Sequence, residues 1–404
     1  MSSSPASTEL SVACVTDLSE LSPFADQWNR LAADVPFRQW EWVESWWRHY
    51  CRPGMSAYVL LVRTAAGELV GVLPCYLSTG PLLERTIRFM GSGEICSDYL
   101  TLLAEAGMEQ AVAEAVAHRL SEEAADDWAL LELDGVAEGE PAVRHLVDWL
   151  RQRGHRIHIR QRTNGWRLKL PGGWEEYLAK VSKGRRVRIR QIVKRQLETG
   201  KVVSRIAITT EEFERGWQIF CDLHQRRRQS LGEKGCFASE RFTAFHEEVS
   251  RRFFDTGKLR LHWVELEGVP VAVDYAFVGG ETIFCYQSGV DPRHLDAQPG
   301  WLDWTASIRR AISQGFRGFD FMRGNEPYKA TFRAEPIPLT EIRIVSRRPV
   351  AVLRDQLWHA GRNCKAAIDG ARNSVRNWFP ALHTKPEVES DSELVAATAG
   401  GTDA

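Results

Sequence analysis

Hydrophobic positions change spacing along the first half of the chain, which predicts helices alternating with strands. Large apolar side chains recur at helical spacing over residues 37–50. Residues 57–64 and 68–77 instead alternate apolar and polar positions around a glycine, which predicts a β-hairpin. An amphipathic helix over residues 108–124 and an apolar strand over 128–136 follow.

The second half of the chain repeats this order of elements. Residues 213–229 and 240–256 have helical periodicity, and residues 259–289 contain three short alternating runs that predict a meander. A helix with Trp301 and Trp304 on one side then leads into the strand 316–322. Helix, hairpin, helix and strand recur at an offset of roughly 190–200 residues, which indicates a duplicated α/β domain.

Breaks in the pattern give the domain limits. Pro171, Gly172 and Gly173 interrupt the chain before a new helix, and a long amphipathic helix with Leu353 and Leu357 on its apolar face follows Pro349. We expect that apolar face to pack on the second domain, and the polar segment after Pro380 to be disordered. The predicted organisation is a flexible N-terminus (1–10), a first domain (11–165), a second domain (166–348), a C-terminal helix (349–379) and a disordered tail (380–404).

Composition narrows the class of protein. The chain has 404 residues, 44% of them hydrophobic, and a net charge of −1, so no global field favours DNA or an anionic membrane. Its eight cysteines show no C-x-x-C spacing, which argues against a structural metal site and is typical of a reducing compartment. No signal peptide or spanning apolar run is evident, so we expect a cytoplasmic protein. Serine hydrolase, zinc protease and P-loop motifs are absent from the sequence.

Several short stretches carry candidate chemistry. Residues 183–195 hold seven basic side chains and no acid, which indicates either a solvated helix face or contact with a polyanion such as coenzyme A phosphates, a tRNA acceptor stem or a lipid head group. His224 could act as a general base near neutral pH, or it could simply pack in the fold. Asp98 precedes an apolar strand, where it could orient an amine or form a turn.

The stretch 318–336, "GFDFMRGNEPYKATFRAEP", shows an apolar strand that stops abruptly in charged residues. A strand end holds such side chains rigidly, so it often forms part of a site. Alternation places Asp320 and Met322 on one face of this strand, with Arg323 on the other. Gly324 allows a turn that brings Glu326 close to Lys329.

This stretch, together with "SKGRRVRIRQ", "LHQRRRQSLGEKGCF", "VPVAVDYAF", "YQSGVDPRH" and "PGWLDWTASIRRA", resembles the CelD-like branch of the GNAT acyltransferase superfamily, which is related to the FemABX aminoacyl transferases. The resemblance implies an α/β fold of tandem GNAT-like domains, each a mixed sheet flanked by helices. An acyl donor, expected to be acyl-CoA and in particular acetyl-CoA, would meet a polar acceptor between them. The loop "RHLDAQPGW" departs from the usual pyrophosphate loop of GNAT proteins, which keeps an aminoacyl-tRNA donor open.

The resemblance implies an N-acyltransferase acting on an amino sugar or a polysaccharide-linked precursor. The alternatives are an aminoacyl-tRNA-dependent transferase, and a degenerate GNAT pair that binds a polysaccharide synthase or a membrane face. The predicted catalytic residues are Lys329, Asp98, Tyr286 and Glu326. The predicted binding residues are Arg186, Arg190, His224, Arg227, Asp320, Arg323 and Gly300. Lys329 is expected to meet a phosphate or the reacting carbonyl oxygen. No metal is expected, and the expected partner is a small-molecule or saccharide acceptor rather than DNA.

Overall fold

A computed structural model describes residues 9–80 and 84–358 of the chain. Their strands are β1 (Leu10–Val15), β2 (Met55–Thr64), β3 (Leu69–Thr79), β4 (Arg85–Phe89), β5 (Leu103–Ala104), β6 (Leu130–Ala137), β7 (Arg156–Lys169), β8 (Val202–Ile206), β9 (Leu259–Leu266), β10 (Val269–Gly279), β11 (Thr282–Val290), β12 (Gly318–Arg323) and β13 (Glu335–Val345). Their helices are α1 (Ala25–Ala32), α2 (Trp40–Tyr50), α3 (Glu109–His118), α4 (Pro141–Gln152), α5 (Trp174–Lys180), α6 (Lys183–Ile192), α7 (Thr210–Ser230), α8 (Glu240–Asp255), α9 (Pro299–Ser313) and α10 (Pro327–Thr331).

The strands form one mixed sheet, and the order of strands from either edge towards the centre is nearly the same in the two halves. The order is β1-β2-β3-β4-β6-β13-β7-β12-β11-β10-β9-β8, with β5 paired to β3. Neighbouring strands are antiparallel except for β4 beside β6 and β11 beside β12, which are parallel. The first half (β1 to β7) and the second half (β8 to β13) therefore repeat the same arrangement, as the shared order of sequence elements predicts. The mixed α/β fold class is confirmed.

The two halves exchange their last strands at the centre of the sheet. β13 belongs to the second half but pairs with β6 of the first, whereas β7 of the first half pairs with β12 of the second. β7 and β13 also pair with each other over most of their length. The halves cannot separate without breaking these ladders, and β7 runs through the predicted limit at residues 165–166. The domain limits themselves stay a prediction.

An aromatic core joins the halves on one face of the sheet. Trp42 of α2 lies with its ring centroid 5.1 Å from Phe245 of α8 and 5.4 Å from Phe277 of β10. Separate apolar clusters fill the other contacts, one under α3 and α4 and one under α9. Side chains from α2, α8 and β10 thus fix the relative position of the halves, and with it the space between them.

The beginning of the C-terminal helix differs from the prediction. Residues 349–358 are helical, but Leu353 and Leu357, expected on the packing face, are 56% and 64% exposed. Ala351 packs instead against Leu130 and Val345. Val345 of β13 and Leu130 of β6 are paired neighbours, so this helix contacts both halves where their strands pair rather than the second half alone. Residues 1–8, 359–379 and the tail 380–404 lie outside the described residues. No helix within the described ranges has the length and apolar content to cross a membrane.

Candidate functional site

A cavity of about 610 Å³ lies between the two halves. Its walls come mainly from the segment after β4, the second half of β6, the middle of β7, the middle of β11, and the segment from the end of β12 into α10. The first half contributes Glu94, Ile95, Cys96, Asp98, Asp134, Gly135, Arg162 and Thr163 to the lining. The second half contributes Arg228, Cys236, Phe242, Cys285, Tyr286, Gln287, Ser288, Trp304, Phe321, Met322, Arg323, Gly324, Asn325, Glu326, Tyr328, Lys329 and Leu339. Five predicted site residues therefore meet here: Asp98, Tyr286, Arg323, Glu326 and Lys329.

The cavity reaches into a gap between the parallel strands β11 and β12. These strands pair only from Thr282↔Gly318 to Phe284↔Asp320. Beyond this point they diverge, and residues 285–288 and 321–324 line the cavity from opposite sides. The backbone groups of residues 322–324 are bonded within the chain, so the edge of β11 that no longer pairs with β12 is the one that an extended ligand with amide groups could join.

The equivalent gap in the first half is filled by the chain itself. β4 and β6 are also parallel and pair only over residues 86–88 and 130–132. The segment after β4 then returns to β6, where the Leu100 amide donates to the Gly135 carbonyl at 3.2 Å. A Cβ on Gly135 would lie 2.5 Å from the Ser97 carbonyl oxygen, so this approach requires a glycine. Only the second half leaves its gap open within the described residues.

The Lys329 side chain donates hydrogen bonds to the irregular end of β12. Met322 and Gly324 have positive φ angles of 57° and 116°, so the backbone leaves the regular strand conformation here. The face on which Arg323 lies therefore does not follow from the simple alternation along β12 that the sequence predicted. The Lys329 ammonium donates to the carbonyls of Met322, Arg323 and Gly324 at 3.2, 2.7 and 3.3 Å. It also lies 2.7 Å from a carboxylate oxygen of Glu326.

The proximity of Glu326 to Lys329 agrees with the turn predicted at Gly324, and the pair lies in the interior of the protein rather than on its surface. The Lys329 side chain is 2% exposed and that of Glu326 is 13% exposed. An ammonium has three N–H donors, and here three carbonyls accept from them while the Glu326 carboxylate lies close by as the opposite charge. A role for Lys329 at a phosphate or a reacting carbonyl stays a prediction, while its visible contacts hold the strand end in place.

Asp98 and Arg323 link the halves at the cavity wall. The Asp98 carboxylate accepts from the Arg323 backbone amide at 3.0 Å and from its Nε at 2.6 Å. Burial raises the pKa of Asp98 although Arg323 opposes this effect. Burial lowers the pKa of Arg323, but the negative charge of Asp98 outweighs it and leaves a net rise. Since Asp98 is committed to this pair, it is poorly placed to accept a proton from a substrate.

Asp320 is fully buried and holds β12 in position without lining the cavity. It accepts hydrogen bonds from the Tyr99 hydroxyl and from Arg167 Nε, both at 2.8 Å. Its contacts cross from β12 to the segment after β4 and to β7, so Asp320 fixes the strand on which Arg323 lies.

Tyr286 lines the cavity but points its hydroxyl into the first half. This hydroxyl donates to the Ile95 carbonyl at 2.6 Å. Burial raises the pKa of Tyr286 well above its ordinary value. The phenol therefore stays protonated near neutral pH, which does not favour the predicted role as a base.

Asp134 is an acidic group in the cavity that sequence reasoning missed. It lies near the end of β6, is half-buried, and makes no hydrogen bond or ion pair with another described residue. Its charge nevertheless acts on Asp98 and Arg323, whose pKa values it raises. The polar position inside the apolar run 128–136 was the only signal in the sequence. An uncommitted carboxylate in a cavity is a candidate proton acceptor.

The predicted basic residues of α6 lie away from the cavity. Arg190 is exposed and pairs with Glu175 at 2.6 Å, while Arg186 donates to the carbonyls of Ala179 and Val181. Neither lines the cavity, because their side chains are used in local contacts of α5 and α6. Their assignment to donor charge stays a prediction that this geometry does not favour.

Arg188, on the same helix, reaches the beginning of α9. Its guanidinium lies 4.0 Å from the Trp301 ring centroid and donates to the Gln298 side chain. Gly300 is at this helix end, with no atom within 4 Å of the position that a Cβ would occupy. This place combines a cation and open space at the N-terminus of a helix, where the helix dipole favours an anion.

His224 and Arg227 of α7 are buried and do not line the cavity. Burial, aided by the positive charge of Arg228, lowers the pKa of His224 to about 4. His224 is therefore neutral near pH 7, and its ring packs against Phe237 at 5.4 Å. This packing role is the alternative that the sequence left open. Arg228, one residue further along, does line the cavity.

Part of the second half matches a known family. Residues 183–330 match the acetyltransferase (GNAT) domain family. The matched residues contain β11, α9 and β12, so the open gap belongs to the matched region. No curated protein matches the sequence.

Solved structures are similar to most of the chain. The chain is similar to FemX, with a TM-score of 0.59 and 12% identity over 85% of this chain and 99% of that one. It is also similar to a conserved protein of unknown function from Bacteroides thetaiotaomicron, with a TM-score of 0.50 and 12% identity over 83% and 100%. A tandem GNAT protein from the clavulanic acid biosynthesis pathway gives a TM-score of 0.45 and 15% identity over 84% and 99%. At such identities, the first two show the fold alone. The CelD-like branch stays a prediction.

Proposed function

We propose that the protein transfers an acyl group from an acyl-CoA thioester to an amine acceptor bound in the cavity between the halves. The observation that carries this proposal is the open gap between β11 and β12. It leads into the cavity and is part of the matched GNAT domain. We take acetyl-CoA as the donor to test first, and an amino sugar or a polysaccharide-linked amine as the acceptor class. A cytoplasmic location belongs to the same proposal.

The gap suits the extended arm of the donor. The pantetheine arm contains amide groups that can pair with the edge of β11 that faces the gap, as an added strand would. Its pyrophosphate would lie at the N-terminus of α9, where Arg188 supplies a positive charge beside Gln298 and Trp301. The thioester would then face Tyr286 and Arg323 in the cavity.

The acceptor side of the cavity carries the acidic groups. An amine must be neutral to attack, so a carboxylate that takes its proton lowers the barrier. Asp134 fits this role directly or through one water, because Asp98 is committed to Arg323. The amine nitrogen bonds to the thioester carbon, the C–S bond breaks, and the CoA thiolate leaves and takes up a proton. Alignment of the two reactants in one cavity supplies the entropic part of the rate gain.

Donor binding and chemistry can be tested separately. Acetyl-CoA should raise the melting temperature of the full chain in proportion to the logarithm of its concentration over Kd. Asp134→Asn should leave that Kd unchanged but lower kcat by about 10²–10⁴-fold with an amino sugar acceptor. Asp148→Asn is a matched control, since Asp148 is a half-exposed acid paired with Arg151.

Two results would contradict the proposal. If no acyl-CoA binds and transfer is abolished by ribonuclease, the donor is an aminoacyl-tRNA. If no acyl-CoA binds and the chain captures a polysaccharide synthase without transfer, the pair of domains is a binding module. Normal turnover in Asp134→Asn would remove that residue from the mechanism but leave the donor assignment in place.

A further inference from the structure

Three ionisable side chains meet in the core of the second half, away from the lining of the cavity. His262 of β9, Asp274 of β10 and Asp303 of α9 have side chains that are 0%, 2% and 3% exposed. The His262 Nδ1 lies 3.1 Å from a carboxylate oxygen of Asp303 and 3.6 Å from one of Asp274. One potential ligand atom from each residue lies within 4.8 Å of the other two.

The facing atoms of this cluster have no hydrogen-bond partners among the described residues. They are His262 Nδ1, both carboxylate oxygens of Asp274 and Oδ1 of Asp303. Buried polar atoms are almost always satisfied, and a buried charge without a partner costs several kcal/mol. The short distances at Nδ1 therefore do not amount to well-directed N–H···O bonds. A cation bound among these three side chains would satisfy them.

The contact made by Nε2 of His262 indicates that the other ring nitrogen, Nδ1, faces the cluster as a ligand. Nε2 lies 2.8 Å from the Ser204 hydroxyl of β8. If Nε2 donates to this oxygen, Nδ1 carries a lone pair directed at the two carboxylates. A metal-bound histidine is normally held in this way, by a hydrogen bond from its other nitrogen. The nearby Arg260 of β9 donates to Gln314 at 2.6 Å.

We propose that His262, Asp274 and Asp303 bind one divalent transition-metal ion such as Zn²⁺ or Mn²⁺. Imidazole and carboxylate are suitable ligands for both ions. Ligands about 2.0–2.1 Å from a tetrahedral Zn²⁺ are about 3.3 Å apart, and the two measured distances at Nδ1 lie on either side of this value. A divalent ion would also neutralise the two buried carboxylates. No local pattern in the sequence predicts this site, because its ligands come from two strands and a helix that only folding brings together.

The ion would connect β9, β10 and α9 behind the wall that holds the acyl donor. This role is structural, and it does not depend on the proposed acyl transfer. Loss of the ion should loosen the contact between α9 and the sheet.

Metal content of the full chain tests the proposal. The protein is stripped with EDTA, loaded with Zn²⁺, Mn²⁺ or Co²⁺, freed of excess ion by gel filtration and analysed by mass spectrometry of the elements. We expect about one ion per chain, a visible absorption band with Co²⁺, and a higher melting temperature when the ion is added back. Asp303→Asn and His262→Gln should lose the ion. His49→Gln is a matched control, because it removes a histidine that pairs with Glu248 elsewhere.

The outcomes are distinct even if a variant fails to fold, since the wild-type chain alone gives stoichiometry, spectrum and melting shift. No binding of any of the three ions, with no change in melting temperature, would overturn the proposal. In that case the carboxylates share a proton and His262 carries the charge. An ion that persists in folded Asp303→Asn, or is lost equally in His49→Gln, would place the metal elsewhere and overturn it as well.

Discussion

Replacing Lys329 by methionine tests whether this residue is primarily a structural support of the site. The substitution keeps a long unbranched side chain and removes the ammonium. It leaves Glu326 buried without its partner at 2.7 Å, and it removes a donor shared by the carbonyls of residues 322, 323 and 324. The change therefore affects the end of β12, where Arg323 and Gly324 line the cavity.

The expected loss of stability is large. Removing one partner of a buried ion pair costs about 3–5 kcal/mol, because the remaining charge stays without compensation. A carbonyl left without a donor adds about 1–3 kcal/mol where water cannot reach it. We expect the single variant to lose at least about 3 kcal/mol, whereas an exposed lysine pair would be worth about 0–1 kcal/mol.

Urea denaturation of Lys329→Met, Glu326→Gln and the double variant measures this difference. The double variant removes both charges, so it should recover part of the loss seen in Lys329→Met. Turnover should be measured well below the melting temperature, so that reduced folding is not mistaken for lost chemistry. Arg190→Met, which breaks an exposed pair with Glu175, serves as the matched control.

A different pattern of results would refute this reasoning. If Lys329→Met keeps the stability of the wild type within about 1 kcal/mol while turnover falls at least about tenfold, the ammonium acts on the substrate. The contacts to the three carbonyls would then be replaceable, and the role at a phosphate or carbonyl oxygen implied by the family resemblance would be supported.

Three further predictions address the donor site, the filled gap and a buried histidine. Arg188→Glu should raise the Kd of coenzyme A at least about tenfold, whereas Arg190→Glu should leave it within about twofold and added salt should weaken wild-type binding, as measured by calorimetry. Gly135→Ala should cost about 1–3 kcal/mol in urea denaturation and more than the control Gly139→Ala, because both have positive φ but only the first Cβ would strike the Ser97 carbonyl. Burial lowers the pKa of His155 to about 4 in the folded state. In the unfolded chain the same histidine binds a proton below about pH 6.5, so lowering the pH favours unfolding. Stability should therefore fall by up to about 3 kcal/mol between pH 6.5 and 4, and an equal slope in His155→Gln would contradict this cause.

The sequence alone determined the elements and their repetition. Apolar periodicity is a local property, so residues 37–50, 57–77 and 259–289 gave their helix, hairpin and meander before any tertiary contact was known. The abrupt end of the strand at Arg323 identified one wall of the cavity for the same reason, because a change from apolar to charged positions is visible within a few residues. Asp98 and Tyr286 were found as well, although their contacts differ from the predicted roles.

Only the tertiary structure decided how these elements meet. The exchange of β7 and β13 depends on pairing between residues more than 100 positions apart, and no local pattern specifies a partner at that separation. The same holds for the Lys329 contacts, which follow from the positive φ of Met322, and for Asp134, whose importance comes from what lies opposite to it. His262, Asp274 and Asp303 are the clearest case. They lie on two strands and a helix with no local pattern that links them, and only the packing of α9 on the sheet brings their charges together where water cannot screen them.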